Sequence, residues 1–167
     1  MTRVLGIDPG LARTGWGLVD VEGSRLRPVA CGTIVTNEKS PVYERLVVIH
    51  KGLEQMIALW QPDEAAVEET FVNTNAKSTL KLGLARGVAM VIPALLGIKV
   101  AEYSANFVKK AVVGVGHAGK DQVEMMVRRL LPGIDIKSAD AADALAVAIC
   151  HAHLGQSQKF MEKVKRS

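Results

Sequence analysis

The stretch Arg3-Val4-Leu5-Gly6-Ile7-Asp8-Pro9-Gly10 has the pattern of an apolar β-strand that ends on a carboxylate and a Pro-Gly turn. Two further runs of β-branched and apolar residues follow at 14–20 and 26–36, separated by turn residues at 22–24. Because the connections are short, we expect the three strands to form an antiparallel meander. In such a meander the third strand runs parallel to the first.

Helices and strands alternate after the meander. We expect Ser40 and Pro41 to begin a helix that ends at Trp60, because a capping serine and a first-turn proline precede apolar residues at helical spacing. A right-handed crossover through this helix would bring the fourth strand parallel to the first. The remaining patterns predict strands at 65–68 and 98–103 and helices at 76–96, 104–112, 121–131 and 139–154.

This order predicts an α/β fold whose five-stranded mixed sheet has three antiparallel strands followed by two parallel ones, flanked by helices. The chain has 167 residues, of which 49% are hydrophobic and 23% charged, as in ordinary globular proteins. That length suits one domain with a single core. We assign residues 1–155 to this domain and residues 156–167 to a basic, flexible tail.

Several features bear on where the protein works. Cys31 and Cys150 lie far apart without metal-ligand spacing, which fits a reduced compartment. The first eight residues are too short for a signal-peptide core. The most apolar run, 87–98, is shorter than the roughly 20 residues that span a bilayer. We therefore expect a cytoplasmic protein without a transmembrane segment.

Four carboxylates come together in the predicted topology. Asp8 ends the first strand and Glu68 ends the fourth, so the parallel strands bring both to one edge of the sheet. Asp140 and Asp143 are three residues apart in an apolar stretch and share one helical face. Burying unpaired carboxylates is unfavourable unless a cation compensates, and oxygen ligands favour Mg²⁺ or Mn²⁺ over zinc. We predict that the four acids form a divalent metal site.

Each acid taken alone has a simpler explanation. Asp8 could be a turn residue, Asp140 or Asp143 could stabilise a helix N-terminus, and Glu68 could pair with a lysine. The functional interpretation therefore rests on the combination of all four. The histidines at 151 and 153 would point to different helix faces, so we do not expect them to bind metal.

Several motifs resemble those of the RuvC family of Holliday junction resolvases. The resemblance covers residues 1–154, in order and without a large gap. It rests on Leu5-Gly6-Ile7-Asp8-Pro9-Gly10, Val67-Glu68-Glu69-Thr70-Phe71, Leu80-Lys81-Leu82-Gly83-Leu84-Ala85-Arg86-Gly87, Val112-Val113-Gly114-Val115-Gly116 and Ala139-Asp140-Ala141-Ala142-Asp143-Ala144-Leu145-Ala146. It implies a ribonuclease H-like fold and a homodimer that cuts four-way DNA junctions with Mg²⁺ in recombination and DNA repair. It also implies a partnership with the RuvA and RuvB branch-migration proteins.

The resemblance also implies roles for single residues. The four acids would be catalytic, Phe71 would stack on junction bases, and Lys109 and Lys120 would lie close to the cleaved strand. Hydrolysis of a phosphodiester needs an activated water and a stabilised leaving oxygen, which two metal ions about 3.5 to 4 Å apart can supply. Four carboxylates suit two Mg²⁺ ions, and Mn²⁺ could replace them.

Basic residues supply the DNA-binding hypothesis. Lys and Arg exceed Asp and Glu by a net charge of +4, a mild excess that is compatible with a polyanionic partner. Six of them are predicted near the catalytic edge, where they could contact phosphates: Lys77, Lys81, Arg86, Lys109, Lys110 and Lys120. For each alone, a solvated helix face is the alternative. We favour phosphate contact for the three that flank the glycine-rich loop 114–119, and we expect Lys120 to support catalysis as well.

The helix at 76–96 has an apolar arc wider than one stripe. Its main stripe comprises Leu80, Leu84, Val88, Val91 and Leu95, and Pro93 is expected to kink or end the helix. The surplus could be buried within the domain or against the same helix of a second chain. Because a four-way junction has two-fold symmetry, we predict a homodimer with this helix as its contact.

The sequence leaves three other functions open. A nucleotide-binding enzyme of the actin-like class would need a second lobe, for which the chain is too short. A non-catalytic junction-binding module would not need the four acids. A ribonuclease H-like nuclease that acts on RNA–DNA hybrids would differ only in its substrate, so competition between substrates must separate it from a junction resolvase.

Overall fold

The computed structural model describes residues 1–69 and 75–165 of the chain, with side chains as far as residue 155. Within these residues the strands and helices follow the predicted order. They are β1 (Thr2–Asp8), β2 (Arg13–Glu22), β3 (Arg25–Val35), α1 (Val42–Trp60), β4 (Glu64–Glu69), α2 (Ala76–Leu95), β5 (Lys99–Ser104), α3 (Ala105–Val113), α4 (Lys120–Leu130) and α5 (Ala139–Lys165).

The strands form one mixed sheet in the order β3-β2-β1-β4-β5. Strands β1, β2 and β3 are antiparallel neighbours, whereas β4 pairs in parallel with β1 and β5. The predicted five-stranded sheet is therefore confirmed. Since Ile7 pairs with Val67, the next residue of each strand, Asp8 and Glu68, reaches the same edge.

Helices cover both faces of the sheet. Leu5 and Ile7 of β1 pack with α1 and α2 on one face, whereas Val4 packs with α3, α4 and α5 on the other. Such two-sided burial explains why the central strands are almost continuously apolar. Because side chains alternate along a strand, Asp8 points to the same face as Val4 and Gly6, which is the face that α5 covers.

Helix α5 lies directly against the backbone of β1 and β2. A Cβ atom added to Gly6 would lie 2.0 Å from the carbonyl oxygen of Ala144, and one added to Gly15 would lie 2.0 Å from that of Asp140. No real side chain tolerates such distances, so glycine is required at both positions. Between Ala141 and Cys150 every residue of α5 is buried except Asp143.

The ends of three helices differ from the sequence-based expectation. Pro41 rather than Ser40 occupies the N-cap of α1, without a side-chain cap hydrogen bond. Pro93 lies inside the last turn of α2, and the helix ends two residues later at Leu95. Helix α5 continues to Lys165 instead of ending near Leu154, so part of the expected tail is helical. Propensity and proline signals locate helix ends only to within a few residues, because tertiary packing sets them.

The stripe predicted on α2 points away from the sheet. Leu80, Leu84, Val91 and Leu95 are exposed, and the smaller residues Ala85 and Ala89, with Ile92 and Pro93, are buried instead. By length and composition, α2 is also apolar enough to cross a membrane. An 18-residue stretch of this helix has a mean hydropathy of 1.3, and 22% of that stretch is buried. Length and composition alone are weak evidence for a membrane span, so the expectation that the chain has no transmembrane segment stays a prediction. The surplus of apolar residues is exposed in the single chain.

Candidate active site

The carboxyl ends of β1 and β4 supply the first two acids of the site. Asp8 and Glu68 line a cleft of about 210 Å³ together with Asp143 of α5. The lysines Lys109 and Lys120 line the same cleft. The topology therefore brings together three of the four predicted acids and two of the predicted basic residues, from five different elements.

Helix α5 places the other two acids because of how it begins. The Ser138 hydroxyl accepts a hydrogen bond from the Ala141 N–H at 3.1 Å, which caps the first turn. The close approach of the Asp140 backbone to Gly15 fixes the distance between this turn and the sheet. Asp143 consequently points into the cleft and is 28% exposed, whereas Asp140 lies one turn nearer the helix start.

The buried acids repel one another. Burial raises the pKa of Asp8 to about 9, and the charge of Glu68 and a hydrogen bond between the two carboxyls add to this effect. Burial also raises the pKa of Glu68, although the hydrogen bond with Asp8 opposes the rise. Without a cation, the two carboxyls therefore favour one shared proton over two negative charges. A cation between these oxygens would remove the cost of their charge.

Asp143 is held between opposing influences. Burial raises its pKa, as does the charge of Asp140, whereas Lys120 and Lys109 lower it. The Nζ atom of Lys120 lies 3.8 Å from the Oδ2 atom of Asp143. Two lysines thus partly compensate the acids in the cleft, and both lie where a phosphate approaching the acids would meet them.

The two lysines are positioned by helix starts and ends near the cleft. The Ser104 hydroxyl caps α3 by accepting a hydrogen bond from the Phe107 N–H. Lys109 lies in the middle of the same helix. Lys120 is the first residue of α4 and is 81% exposed. Lys109 is therefore held beside the acids, whereas Lys120 can reach outward toward a bound strand.

Asp140 bonds to a residue that the sequence analysis did not select. The Nε–H of Arg13 donates to the Oδ2 atom of Asp140 at 2.7 Å. Because Arg13 and Asp140 are far apart in sequence, no local pattern signals this pair. The only available signal is the position of Arg13 just after the Asp8-Pro9-Gly10 turn, next to the catalytic edge.

The acidic residues present the atoms of a metal site, although their side chains are engaged in other bonds. As the side chains stand, no group of three or more His, Cys, Asp or Glu residues within 1–69 and 75–155 has the arrangement of a metal centre. Instead, Asp140 is bonded to Arg13, Asp143 is paired with Lys120, and Asp8 is bonded to Glu68. The donor set itself consists only of carboxylate oxygens, which fits a hard divalent cation such as Mg²⁺.

The other predicted basic residues lie in different places. Lys81 lines a neighbouring cleft that also contains Asp140, and Lys77 is exposed in the first turn of α2. Lys110 is exposed in the last turn of α3. Arg86 instead donates to Glu102 of β5 at 2.8 Å, so its charge is used within the fold. Phe71 lies outside the described residues.

The histidines and cysteines lie apart from the acids. His151 bridges the Tyr103 hydroxyl at 2.7 Å and the Glu64 carboxylate at 2.9 Å, and His153 contacts the carbonyl oxygen of Ala111. His117 is exposed. Both cysteines are free thiols.

Comparison with known proteins agrees with this geometry. The family described as crossover junction endodeoxyribonuclease RuvC matches residues 4–151. The protein of that name from Gluconacetobacter diazotrophicus is 65% identical over 153 residues, which cover 92% of this chain and 91% of the relative. That from Afipia carboxidovorans is 58% identical over 162 residues, covering 97% and 95%. The structure of T. thermophilus RuvC in complex with Holliday junction substrate has a TM-score of 0.88 at 33% identity, covering 95% of this chain and 97% of that chain.

Proposed function

This chain belongs to the RuvC family of crossover junction endodeoxyribonucleases, and we propose that it cuts four-way DNA junctions with a Mg²⁺ site built from four acids. Family membership establishes a nuclease with a ribonuclease H-like fold that resolves Holliday junctions, and it implies the use of a divalent metal. What we add is the assignment of the site: Asp8, Glu68, Asp140 and Asp143 as metal ligands and catalytic acids.

The observation that carries this assignment is the set of three acids in one cleft. Asp8, Glu68 and Asp143 line it together; burial raises the pKa of each carboxyl, and the charge of a nearby acid adds to each rise. A fold does not keep such a destabilised cluster unless a ligand compensates it. Two bound Mg²⁺ ions, replaceable by Mn²⁺, would activate a water and stabilise the leaving 3′ oxygen.

The residues of the chain contribute binding and orientation. Lys109 and Lys120 face the acids and would hold the scissile phosphate, with Lys120 stabilising the charge that grows on it in the transition state. Lys77, Lys81 and Lys110 would contact phosphates of the flanking strands, because backbone contacts supply most of the affinity. Arg86 would contact DNA while its guanidinium stays paired with Glu102.

Phe71 completes the proposed site. It follows Glu68 by three residues in the sequence, and we propose that its aromatic ring stacks on an unpaired base of the junction. Such stacking would hold an opened strand in register with the acids.

The exposed apolar stripe of α2 supports a homodimer. The stripe formed by Leu80, Leu84, Val91 and Leu95 runs along one side of the helix, and its neighbours Gly83 and Gly87 would allow close approach. An isologous contact through this stripe would cover it on both chains. The two acid clefts would then be related by a two-fold axis, which matches the symmetry of a four-way junction and yields paired nicks.

The cellular setting follows from the same proposal. We place the enzyme in the cytoplasm, where it would act on junctions processed by RuvA and RuvB. Residues 1–155 would form the nuclease domain, and the basic residues within 156–167 would lie beyond it as a tail.

The test is a nicking assay with matched acid variants. Glu68→Gln and Asp8→Asn should abolish cleavage of a four-way junction in Mg²⁺ but keep junction binding, because phosphate contacts do not require these acids. Glu69→Gln is the control, since Glu69 is the adjacent residue of β4 and does not line the cleft. Competition between a four-way junction, duplex DNA and an RNA–DNA hybrid checks the substrate. Wild-type nicking rates for Asp8→Asn would refute the assignment.

A further inference from the structure

Arg13 connects the acid site to two surface clefts. It lies at the start of β2, its side chain is 50% exposed, and its Nε–H bonds to Asp140 at 2.7 Å. Among the residues with described side chains, 1–69 and 75–155, no acceptor is bonded to its two Nη groups. The guanidinium therefore has one donor on a catalytic acid and the other donors open to an incoming group.

Hydrogen bonds from neighbouring side chains hold the backbone of the turn that carries Arg13. The Thr14 hydroxyl donates to the carbonyl oxygen of Gly10 at 2.8 Å, and the Thr36 hydroxyl donates to that of Leu11 at 2.6 Å. Arg45 is buried and its Nε–H donates to the same Thr36 hydroxyl at 2.9 Å. These buried bonds fix the backbone of the turn, so that the Arg13 side chain is the part that can move.

Arg13 lies on the ridge between two clefts, each large enough for a nucleotide backbone. One, of about 590 Å³, lies between β3 and the segment before α5 and also contains Lys137. The other, of about 530 Å³, lies between the turn after β1 and helix α2 and also contains Lys81 and Asp140. A phosphate that crosses this ridge would meet the guanidinium at the point where it holds the acid.

We propose that Arg13 exchanges Asp140 for a DNA phosphate, so that binding of the strand releases this carboxylate to the metal site. The proposal rests on the proposed function, because it assumes that the four acids bind metal. Arg13 and Asp140 form a half-exposed ion pair, which is weak enough to be replaced. The guanidinium fork binds phosphate in a bidentate manner, which makes phosphate a strong competitor for it.

The exchange links two binding events through one side chain. Without DNA, Arg13 occupies an oxygen of Asp140 and opposes metal binding there. With DNA, the same guanidinium neutralises a phosphate and leaves Asp140 free. By thermodynamic linkage, metal must then favour junction binding by the factor by which the junction favours metal. Arg13 is therefore a positioning residue, because it controls when Asp140 becomes free to complete the acid site.

The test measures metal and DNA binding separately, with Ca²⁺ as the divalent probe. For Arg13→Gln we expect Ca²⁺ to bind the DNA-free protein about two- to fivefold more tightly by calorimetry, the range set by a half-exposed ion pair. In EDTA the variant should bind a four-way junction more weakly, with its salt dependence reduced by about one phosphate contact. Arg13→Lys should retain the salt dependence.

Arg27→Gln is the matched control. Arg27 is 55% exposed, pairs with Glu22 at 3.5 Å and lies toward the opposite end of the β2–β3 hairpin, so its loss should leave Ca²⁺ affinity unchanged. Weaker or equal Ca²⁺ binding by DNA-free Arg13→Gln, with a melting temperature like that of the wild type, would overturn the exchange. If Arg13→Gln does not fold, Arg13→Lys with a reduced salt dependence would overturn it as well. Failure of the wild type to bind Ca²⁺ or to nick a junction would instead contradict the proposed function.

Discussion

Replacing Gly15 by alanine tests how closely α5 must approach the sheet for the acids to work. Gly15 lies in β2 opposite Asp8, and the first turn of α5 rests on its backbone. An alanine at this position adds a single methyl group and changes no charge, hydrogen bond or cleft residue. Any effect on cleavage must therefore come from the position of the helix.

The size of the displacement follows from the contact distances. The added Cβ would lie 2.0 Å from the carbonyl oxygen of Asp140 and 2.4 Å from its carbonyl carbon, whereas ordinary contacts begin near 3.4 Å. The backbone of Asp140 must therefore retreat by about 1.4 Å. A misplacement of about 1 Å in a catalytic site lowers the rate about 10²-fold, and overpacking destabilises a fold by about 1–3 kcal/mol.

The assay separates these two effects. We expect Gly15→Ala to lower kcat for junction nicking about 10²-fold, with junction binding in EDTA close to that of the wild type. Gly52→Ala is the control, because its Cβ would meet the Ile34 side chain at 2.8 Å on the opposite face of the sheet. That variant should retain kcat, because the Ile34 side chain can yield to the added methyl group without moving the acids. Wild-type kcat for Gly15→Ala, or an equal loss of kcat in both variants, would refute the reasoning.

Two further predictions concern the acid pair and the dimer. The pKa of Asp8 is raised to about 9 in the folded state, so its contribution to stability is full below the unfolded value of about 4 and is lost as pH rises toward 9. In EDTA, Asp8→Asn should thus melt above the wild type at pH 8 and by a smaller margin at pH 5; identical melting curves at both pH values would contradict this. Leu84→Arg places a charge in the exposed stripe of α2 and should give a monomer of 17.9 kDa by light scattering, whereas Leu59→Arg, at a more exposed site of α1 (72% against 48%), should leave the proposed dimer intact. Dimers of Leu84→Arg that still make paired nicks would argue against the α2 contact.

The sequence was sufficient to predict the sheet and the edge that carries the site. Short connections force β1, β2 and β3 to alternate, and the handedness of the crossover then makes β4 parallel to β1. These two rules place Asp8 beside Glu68 without any knowledge of side-chain contacts. The apolar stretch around Asp143 likewise indicated a buried helix, because few charged residues interrupt it.

The contacts of long side chains could not be predicted in this way. Arg86 and Glu102 pair across two elements, and Arg13 and Asp140 pair across most of the chain. Which cation reaches which carboxylate depends on rotamers and on sheet register, neither of which leaves a periodic signal in the sequence. The orientation of α2 was missed for a related reason: its small buried residues Ala85 and Ala89 gave a weaker signal than the exposed leucines.

The placement of α5 has a consequence for the synthesis of the enzyme. The helix that carries Asp143 covers β1 and β2, which are made first, and it is itself made last among the elements that form the cleft. A nascent chain that ends before Ala139 has Asp8 and Glu68 but neither acid of α5, and its sheet lacks a cover on one face. Contacts between such distant parts of a chain form late in folding. Because the proposed site needs the acids of α5, we expect cutting activity to begin only when this helix has packed over the sheet.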